Sequence, residues 1–235
     1  MIGERLLEVD ECESTQLLLG PDDPEGAVAV ADYQSGGRGR LGRSWVAPPG
    51  TALQLSILLR PPPERNIAQL PLLGGLATAE VVEEELGLWG SAQIKWPNDV
   101  MVNRRKVAGV LGEARDGVVV LGIGINVNQT REQLPEDAVT PPASLRTISG
   151  REHDRTALLQ GLLGRLDNVY GQWRSGGLES LYGELGARDF IRGRRLTLNG
   201  RAGTGLMILR DGRLQVAFDD GETSAFESGE LLVER

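Results

Sequence analysis

The chain has 235 residues, 40 % of them hydrophobic and 25 % charged, and a formal net charge of −8, a globular balance that fits one large domain or a domain with a small module. No run of about 18 uncharged apolar residues marks a membrane span, and Met1-Ile2-Gly3-Glu4-Arg5 lacks the basic flank and apolar core of a signal peptide, so a cytoplasmic protein with no membrane partner is expected. A single cysteine, Cys12, and a single histidine, His153, exclude an intrachain disulfide and a thiolate zinc site, while the acidic balance argues against general binding to a nucleic-acid backbone.

In chain order, residues 5–9 read as a first strand, and residues 13–21 as a short helix capped by Ser14 and Thr15 and ended by Gly20-Pro21. Residues 27–31 read as a buried strand that runs into Tyr33-Gln34-Ser35-Gly36-Gly37-Arg38-Gly39-Arg40-Leu41-Gly42-Arg43-Ser44-Trp45. Four glycines and three arginines fall in that loop, with no Asp or Glu from Tyr33 to Pro63. Residues 52–59 follow as a strand, so the loop joins two core strands. Residues 66–86 carry apolar side chains near the helical period, predicting a long helix with Pro71 in its first turns or at a break.

Residues 100–102, 106–112 and 118–125 read as closely spaced strands in hairpins, and residues 128–149, polar and with three prolines, as a long surface connection. Leu158, Leu159, Leu162, Leu163, Leu166, Val169, Tyr170 and Trp173 recur at helical steps, and residues 178–185 suggest a further helix. From Arg194 onward, short apolar segments alternate with Asn199-Gly200, Asp211-Gly212 and Asp220-Gly221, strong hairpin signals that predict a small β-barrel docked on the main domain.

The loop spacing Gly37-x-Gly39-x-x-Gly42 matches a dinucleotide-binding pattern, which requires a helix to start there and an acidic residue about 20 positions later. Ser44-Trp45-Val46-Ala47-Pro48-Pro49-Gly50 follows instead, and the first acid is Glu64. Walker and kinase loops fail as well, for want of Gly-Lys-Ser/Thr and of the kinase signatures. Glycines allow close backbone approach and guanidinium forks pair with carboxylate or phosphate, so the loop suits a carboxylate brought to a phosphate; the alternative is a solvated hairpin tip.

Lys95-Trp96-Pro97-Asn98-Asp99 sets a cation, an aromatic, an amide and a carboxylate side by side. Asp99 suits Mg²⁺ and Lys95 a phosphate, against the plainer reading of a Trp-Pro turn with a surface salt bridge. Lys106 precedes a strand of small residues, and Asn126 ends another with an amide able to pair with adenine. His153 lies in a polar stretch beside a helix start, and neither it nor Cys12 is assigned a role.

Together and in this order, Ser14-Thr15-Gln16, the arginine loop with Trp45, Lys95-Trp96-Pro97-Asn98-Asp99, Arg105-Lys106-Val107-Ala108-Gly109 and Gly122-Ile123-Gly124-Ile125-Asn126 resemble the biotin protein ligase family. The resemblance implies an α+β fold: a mixed β-sheet packed with helices, class II synthetase-like, over residues 1–189, and an SH3-like β-barrel over 190–235. It implies ATP-dependent activation of biotin to biotinyl-5′-AMP with release of pyrophosphate. Transfer then follows to a lysine of the biotin carboxyl carrier protein of acetyl-CoA carboxylase.

ATP, Mg²⁺ and biotin are the implied ligands, with no redox cofactor or zinc. Lys106, Arg40 and Lys95 would be catalytic. Ser14, Thr15, Gln16, Gln34, Gly37, Arg38, Gly39, Arg40 and Lys106 would bind biotin, and Arg38, Arg40, Arg43, Trp45, Asn98 and Asn126 the adenylate. Asp99 would support the metal. Gln16 stands where Asn is common in related sequences. Larger relatives that also repress transcription carry an N-terminal helix-turn-helix, for which the ligase-like region starting near Met1 leaves no room, so a monofunctional enzyme without DNA binding is expected, as monomer or homodimer. The competing readings are a lipoate-protein ligase or octanoyltransferase, and a non-catalytic biotin-binding module.

Overall fold

The computed structural model describes residues 1–234. Its first sheet holds β1 (Leu6–Cys12), β2 (Val28–Gln34), β3 (Ala52–Leu59), β4 (Ala92–Lys95), β5 (Asp99–Val102), β6 (Arg105–Arg115) and β7 (Val118–Asn126), in the order β1-β2-β3-β7-β6-β5-β4. Only the β1–β2 pair is parallel, so the sheet is mixed as expected. Helices α1 (Leu70–Leu86), α2 (Leu145–Ser149), α3 (Arg155–Gly176) and α4 (Tyr182–Ala187) accompany it.

Side-chain alternation decides which face the helices cover. On β3, Leu53, Leu55, Ile57 and Leu59 join the large core cluster with Leu72, Leu76, Leu162 and Trp173 of α1 and α3. On β7, Val119, Leu121, Ile123 and Ile125 do the same, while Val118, Val120 and Leu58 belong to a separate small cluster with Ala27 and Ala29. The intervening positions Gln54, Ser56, Gly122, Gly124 and Asn126 fall on the second face. Asn66 caps a 3-10 turn (Ile67–Gln69) that leads into α1, where Pro71 sits in the first turn, a position that needs no amide donor. Asp154 caps α3 by accepting from the amides of Thr156 and Ala157.

Several expectations change. Residues 13–21 form a 3-10 turn, Thr15–Leu17, in place of a helix: Ser14 caps it, but Leu18 and Leu19 turn into the small cluster with Ala27 and Ala29, and Gly20-Pro21 follow before a helix can propagate. β1 runs on to Cys12 and delivers Ser14 directly. The 128–149 segment is more than a surface connection, because it holds a 3-10 turn (Arg131–Gln133) and α2, and it pairs with Lys106.

The expected C-terminal barrel is an open sheet. β8 (Arg195–Leu198), β9 (Arg201–Ile208), β10 (Leu214–Phe218), β11 (Thr223–Phe226) and β12 (Leu231–Val233) are antiparallel in the order β11-β10-β9-β8-β12, and its edge strands β11 and β12 are not paired to each other. The Asx-Gly turns fall at the hairpins as expected. This sheet shares the main core, through Leu196, Leu198, Ile208, Leu214 and Val216, and Trp96 Nε1 donates to the Gly212 carbonyl at 3.0 Å. No helix among the described residues is long and apolar enough to cross a membrane.

Candidate active site

The helix-free face of the first sheet carries a cavity of about 390 Å³. Its floor exists because β6 and β7 present glycine there: Gly109 pairs with Gly124 and Leu111 with Gly122, and β3 brings Gln54 opposite Gly124 and Ser56 opposite Gly122. A Cβ on Gly124 would stand 2.5 Å from the Trp45 ring, and one on Gly122 2.8 Å from Gln16 Nε2. The missing side chains make the room in which these two residues lie.

At one end is a polar relay. The Thr15 amide and hydroxyl both donate to Gln34 Oε1, at 2.7 and 3.0 Å, Gln34 Nε2 donates to Gln54 Oε1 at 2.9 Å, and Thr15 Oγ1 lies 2.7 Å from Ser56 Oγ. Gln16 Nε2 donates to the Leu111 carbonyl at 3.0 Å, and its buried Oε1 has no partner within the protein. Leu111, opposite Gly122, supplies apolar lining on this face, while Leu55, Val110 and Ile123 border the cavity from strands whose side chains turn to the helix-side core. The relay ends in groups that can both donate and accept.

The arginine loop folds back on itself. Trp45 N donates to the Gly37 carbonyl at 2.9 Å, Gly39 N to the Arg43 carbonyl at 2.7 Å, and Leu41 (φ 57°) with Gly42 (φ 73°) turn the tip in the left-handed region. Arg40 thereby reaches inward and donates to Asn98 Oδ1 at 3.4 Å and to the Gly229 carbonyl at 3.5 Å. Arg38 stays at the rim, 3.6 Å from Glu113 and 4.0 Å from Glu13, and Arg43 pairs with Glu230. Gly37 is buried beneath the loop and does not line the cavity.

Across from Arg40, the β4–β5 turn supplies Lys95, Asn98 and Asp99. Asp99 Oδ1 is 2.6 Å from Lys106 Nζ, and its Oδ2 is 4.0 Å from Lys95 Nζ. Lys95 is 6 % exposed and donates to Thr140 Oγ1 at 2.7 Å. Burial pushes the Lys95 ammonium below its ordinary value, against the pull of Asp99 and with help from Lys106 and Arg43; burial likewise lowers Arg40, against Asp99. Three cations thus surround one carboxylate, in a molecule that is acidic overall. Trp96, beside them in sequence, turns away into the core.

Trp45 lies over Gly124, with Lys106 Nζ 5.9 Å from its ring centre and its own Nε1 unpartnered. Asn126 is buried at the same end; its Nδ2 donates to the Ala143 carbonyl at 3.1 Å and its Oδ1 accepts from Gln129 at 3.0 Å, which leaves one N–H and one lone pair free. Every expected site residue except Gly37 lines this cavity. Two further walls carry no sequence signal: the Pro135–Pro142 stretch, which the sequence presents as a surface connection, and Gly229-Glu230-Leu231 of the C-terminal sheet. A polar, proline-rich segment and a strand end carry no signal of what they will face.

Asp99, expected to support the metal, is here the shared partner of two ammonium groups, Lys106 and Lys95. The donor set suits a lysine counter-ion. His153 lies outside the cavity, buried between Ser149 Oγ at 2.7 Å and Glu85 Oε1 at 2.6 Å, where it ties the turn before α3 to the end of α1.

Residues 12–129 match the sequence profile of the biotin/lipoate A/B protein ligase family. The chain is 32 % identical over 218 residues to the biotin–[acetyl-CoA-carboxylase] ligase of Mycobacterium tuberculosis, covering 89 % of this chain and 80 % of that one. It is 37 % identical over 173 residues to the bifunctional ligase/repressor BirA of Bacillus spizizenii, a match that covers 69 % of this chain and 53 % of that protein, so the chain spans about half the length of such relatives. Among solved structures, the biotin protein ligase from Aquifex aeolicus in complex with biotin and ATP superposes with a TM-score of 0.88 at 32 % identity, over 99 % of each chain.

Proposed function

We propose that this chain, which belongs to the biotin/lipoate A/B protein ligase family, is a biotin protein ligase that makes biotinyl-5′-AMP from biotin and ATP and passes the biotinyl group to a lysine of a biotin carboxyl carrier protein. The observation that carries the reading is the charge arrangement in one cavity: Arg40, Lys95 and Lys106 around Asp99, between the Thr15–Gln34–Gln54 relay and the Trp45 shelf. A site of that kind can hold two anions against each other while it binds an uncharged polar ring at one end and a flat aromatic at the other.

In the first step a biotin carboxylate oxygen attacks the α-phosphorus of ATP, the α–β anhydride bond breaks, and pyrophosphate leaves. In the second the carrier amine attacks the acyl carbon and AMP leaves with the bonding pair. Both steps develop charge on oxygen, so positioned cations act by orientation and charge stabilisation, and no histidine is required. In this scheme the ureido group of biotin lies at Ser14, Thr15, Gln16 and Gln34, with the orphan Gln16 Oε1 accepting one N–H. Arg40 and Lys106 lie on the carboxylate and α-phosphate, and Lys95 with Asn98 on the phosphate tail. Trp45 and Asn126 hold adenine, with Arg38 and Arg43 at the rim. Magnesium enters as part of the MgATP substrate.

Residues 1–189 form the catalytic unit in this scheme, and residues 190–235 a closing wall. The enzyme acts in the cytoplasm. The names of the relatives favour biotin over lipoate as the acid, as does a relay that offers both donors and acceptors. The test is incubation with biotin and MgATP, with and without a biotin carboxyl carrier domain, followed by mass measurement. Expected are biotinyl-5′-AMP without carrier and one biotinyl adduct on a carrier lysine; turnover of lipoate with biotin inert would overturn the assignment.

A further inference from the structure

A second cleft of about 280 Å³ lies beyond Lys95, and the proposed mechanism does not use it. Lys95, Val139 and Thr140 line both spaces, so the Lys95–Thr140 hydrogen bond stands in the partition between them. On the far side the cleft is bordered by Arg104 and Arg105 and by the end of β12. Three cations line it against one carboxylate, Glu234, which is itself 4.0 Å from Arg195.

Arg104 and Arg105 have no ion-pair partner among the described residues; Arg105 makes only a 3.5 Å bond to the Pro142 carbonyl. In a chain of net charge −8 most exposed arginines do find a carboxylate, as Arg165, Arg195, Arg201 and Arg213 do. Asn103 (φ 50°) and Arg104 (φ 61°) form the β5–β6 turn in the left-handed region. Such turns favour glycine at the second position, so an arginine there is held against its conformational preference.

We propose that this cleft receives the pyrophosphate released by adenylation, with Arg104 and Arg105 as its ligands and Lys95 shared between it and the adenylate. The inference rests on the adenylation reading above, since the diphosphate is the group that leaves when the α–β anhydride breaks. A diphosphate carries several negative charges and pairs with guanidinium forks and ammonium groups, here the exposed Arg104 and Arg105 and the buried Lys95. The buried Lys95, its charge disfavoured by desolvation, gains most from a polyanion beside it.

The test uses Arg104→Gly, which suits the left-handed turn, combined with Arg105→Gln. In biotin-dependent pyrophosphate–ATP exchange, the double variant is expected to raise the KM for pyrophosphate about tenfold, with the KM for biotin and the transfer of preformed biotinyl-5′-AMP to a carrier domain unchanged. An unchanged KM for pyrophosphate overturns the proposal. So does a defect confined to carrier transfer, which would make the cleft an acceptor-docking face. Calorimetric titration with inorganic pyrophosphate alone separates the two readings. If the wild-type protein makes no adenylate, the ligase assignment fails, while arginine-dependent binding of pyrophosphate still supports the site and its absence removes it.

Discussion

Lys106 and Gly124 contribute to the same cavity in opposite ways, one by a charge and one by having no side chain. Lys106 Nζ lies 2.6 Å from Asp99 and is, in the proposed scheme, the cation at the acyl phosphate. Lys106→Met should lower the rate of biotinyl-5′-AMP formation by about 100-fold or more, the scale of losing one oriented charge-stabilising donor, while leaving the unfolding midpoint nearly unchanged; single-turnover adenylation measures it. At Gly124 an added methyl would sit within 2.5–2.6 Å of the Trp45 ring. Gly124→Ala should therefore raise the KM for ATP about tenfold with little effect on that for biotin, read from steady-state kinetics. Lys106 was singled out in the sequence because a cation before a small-residue strand can point into a cavity, and its proposed role came from the family resemblance. Gly124 stood in a recognised motif, but its reason, contact with an indole 79 positions earlier, needed the fold.

The elements differ in how much of them local sequence decides. Helix α3 was legible because its apolar stripe, Leu158 to Trp173, is long and is capped by Asp154, and the C-terminal strands were legible from their Asx-Gly turns. The boundary between the two units was expected at residues 189–190, but the contacts that hold it were not legible. Asp189 is buried there and accepts from the amides of Ile191 at 2.9 Å and Ile208 at 3.0 Å. Burial raises its carboxyl above the ordinary 3.8, and those amides only partly oppose this. The folded state therefore holds the proton more tightly, so the contribution is fully present below 3.8 and is lost as pH rises through the higher folded value. Asp189→Asn should abolish that decline, seen as a flatter urea midpoint against pH on the acid side of neutrality. Trp96→Phe leaves the Gly212 carbonyl without its donor and should cost about 1–3 kcal/mol, measurable by equilibrium denaturation.

At the scale of the whole molecule, the two sheets share one apolar core, and the arginine loop leans on the second sheet through Arg40 with the Gly229 carbonyl and Arg43 with Glu230. A core that crosses the junction predicts one cooperative unfolding transition; calorimetry should give equal calorimetric and van't Hoff enthalpies, and limited proteolysis should release no stable fragment ending near residue 189. The sequence by itself determined the chemistry: which residues carry charge, amide and aromatic groups, their order, and the mixed α+β pattern, because periodicity and motif spacing are local properties. Only the tertiary structure decided that Asp99 neutralises lysines, that the C-terminal sheet is open, and that Pro135–Pro142 and Gly229–Leu231 complete the cavity. Those outcomes depend on which distant surfaces meet, and burial and charge at the site arise from segments far apart in the chain.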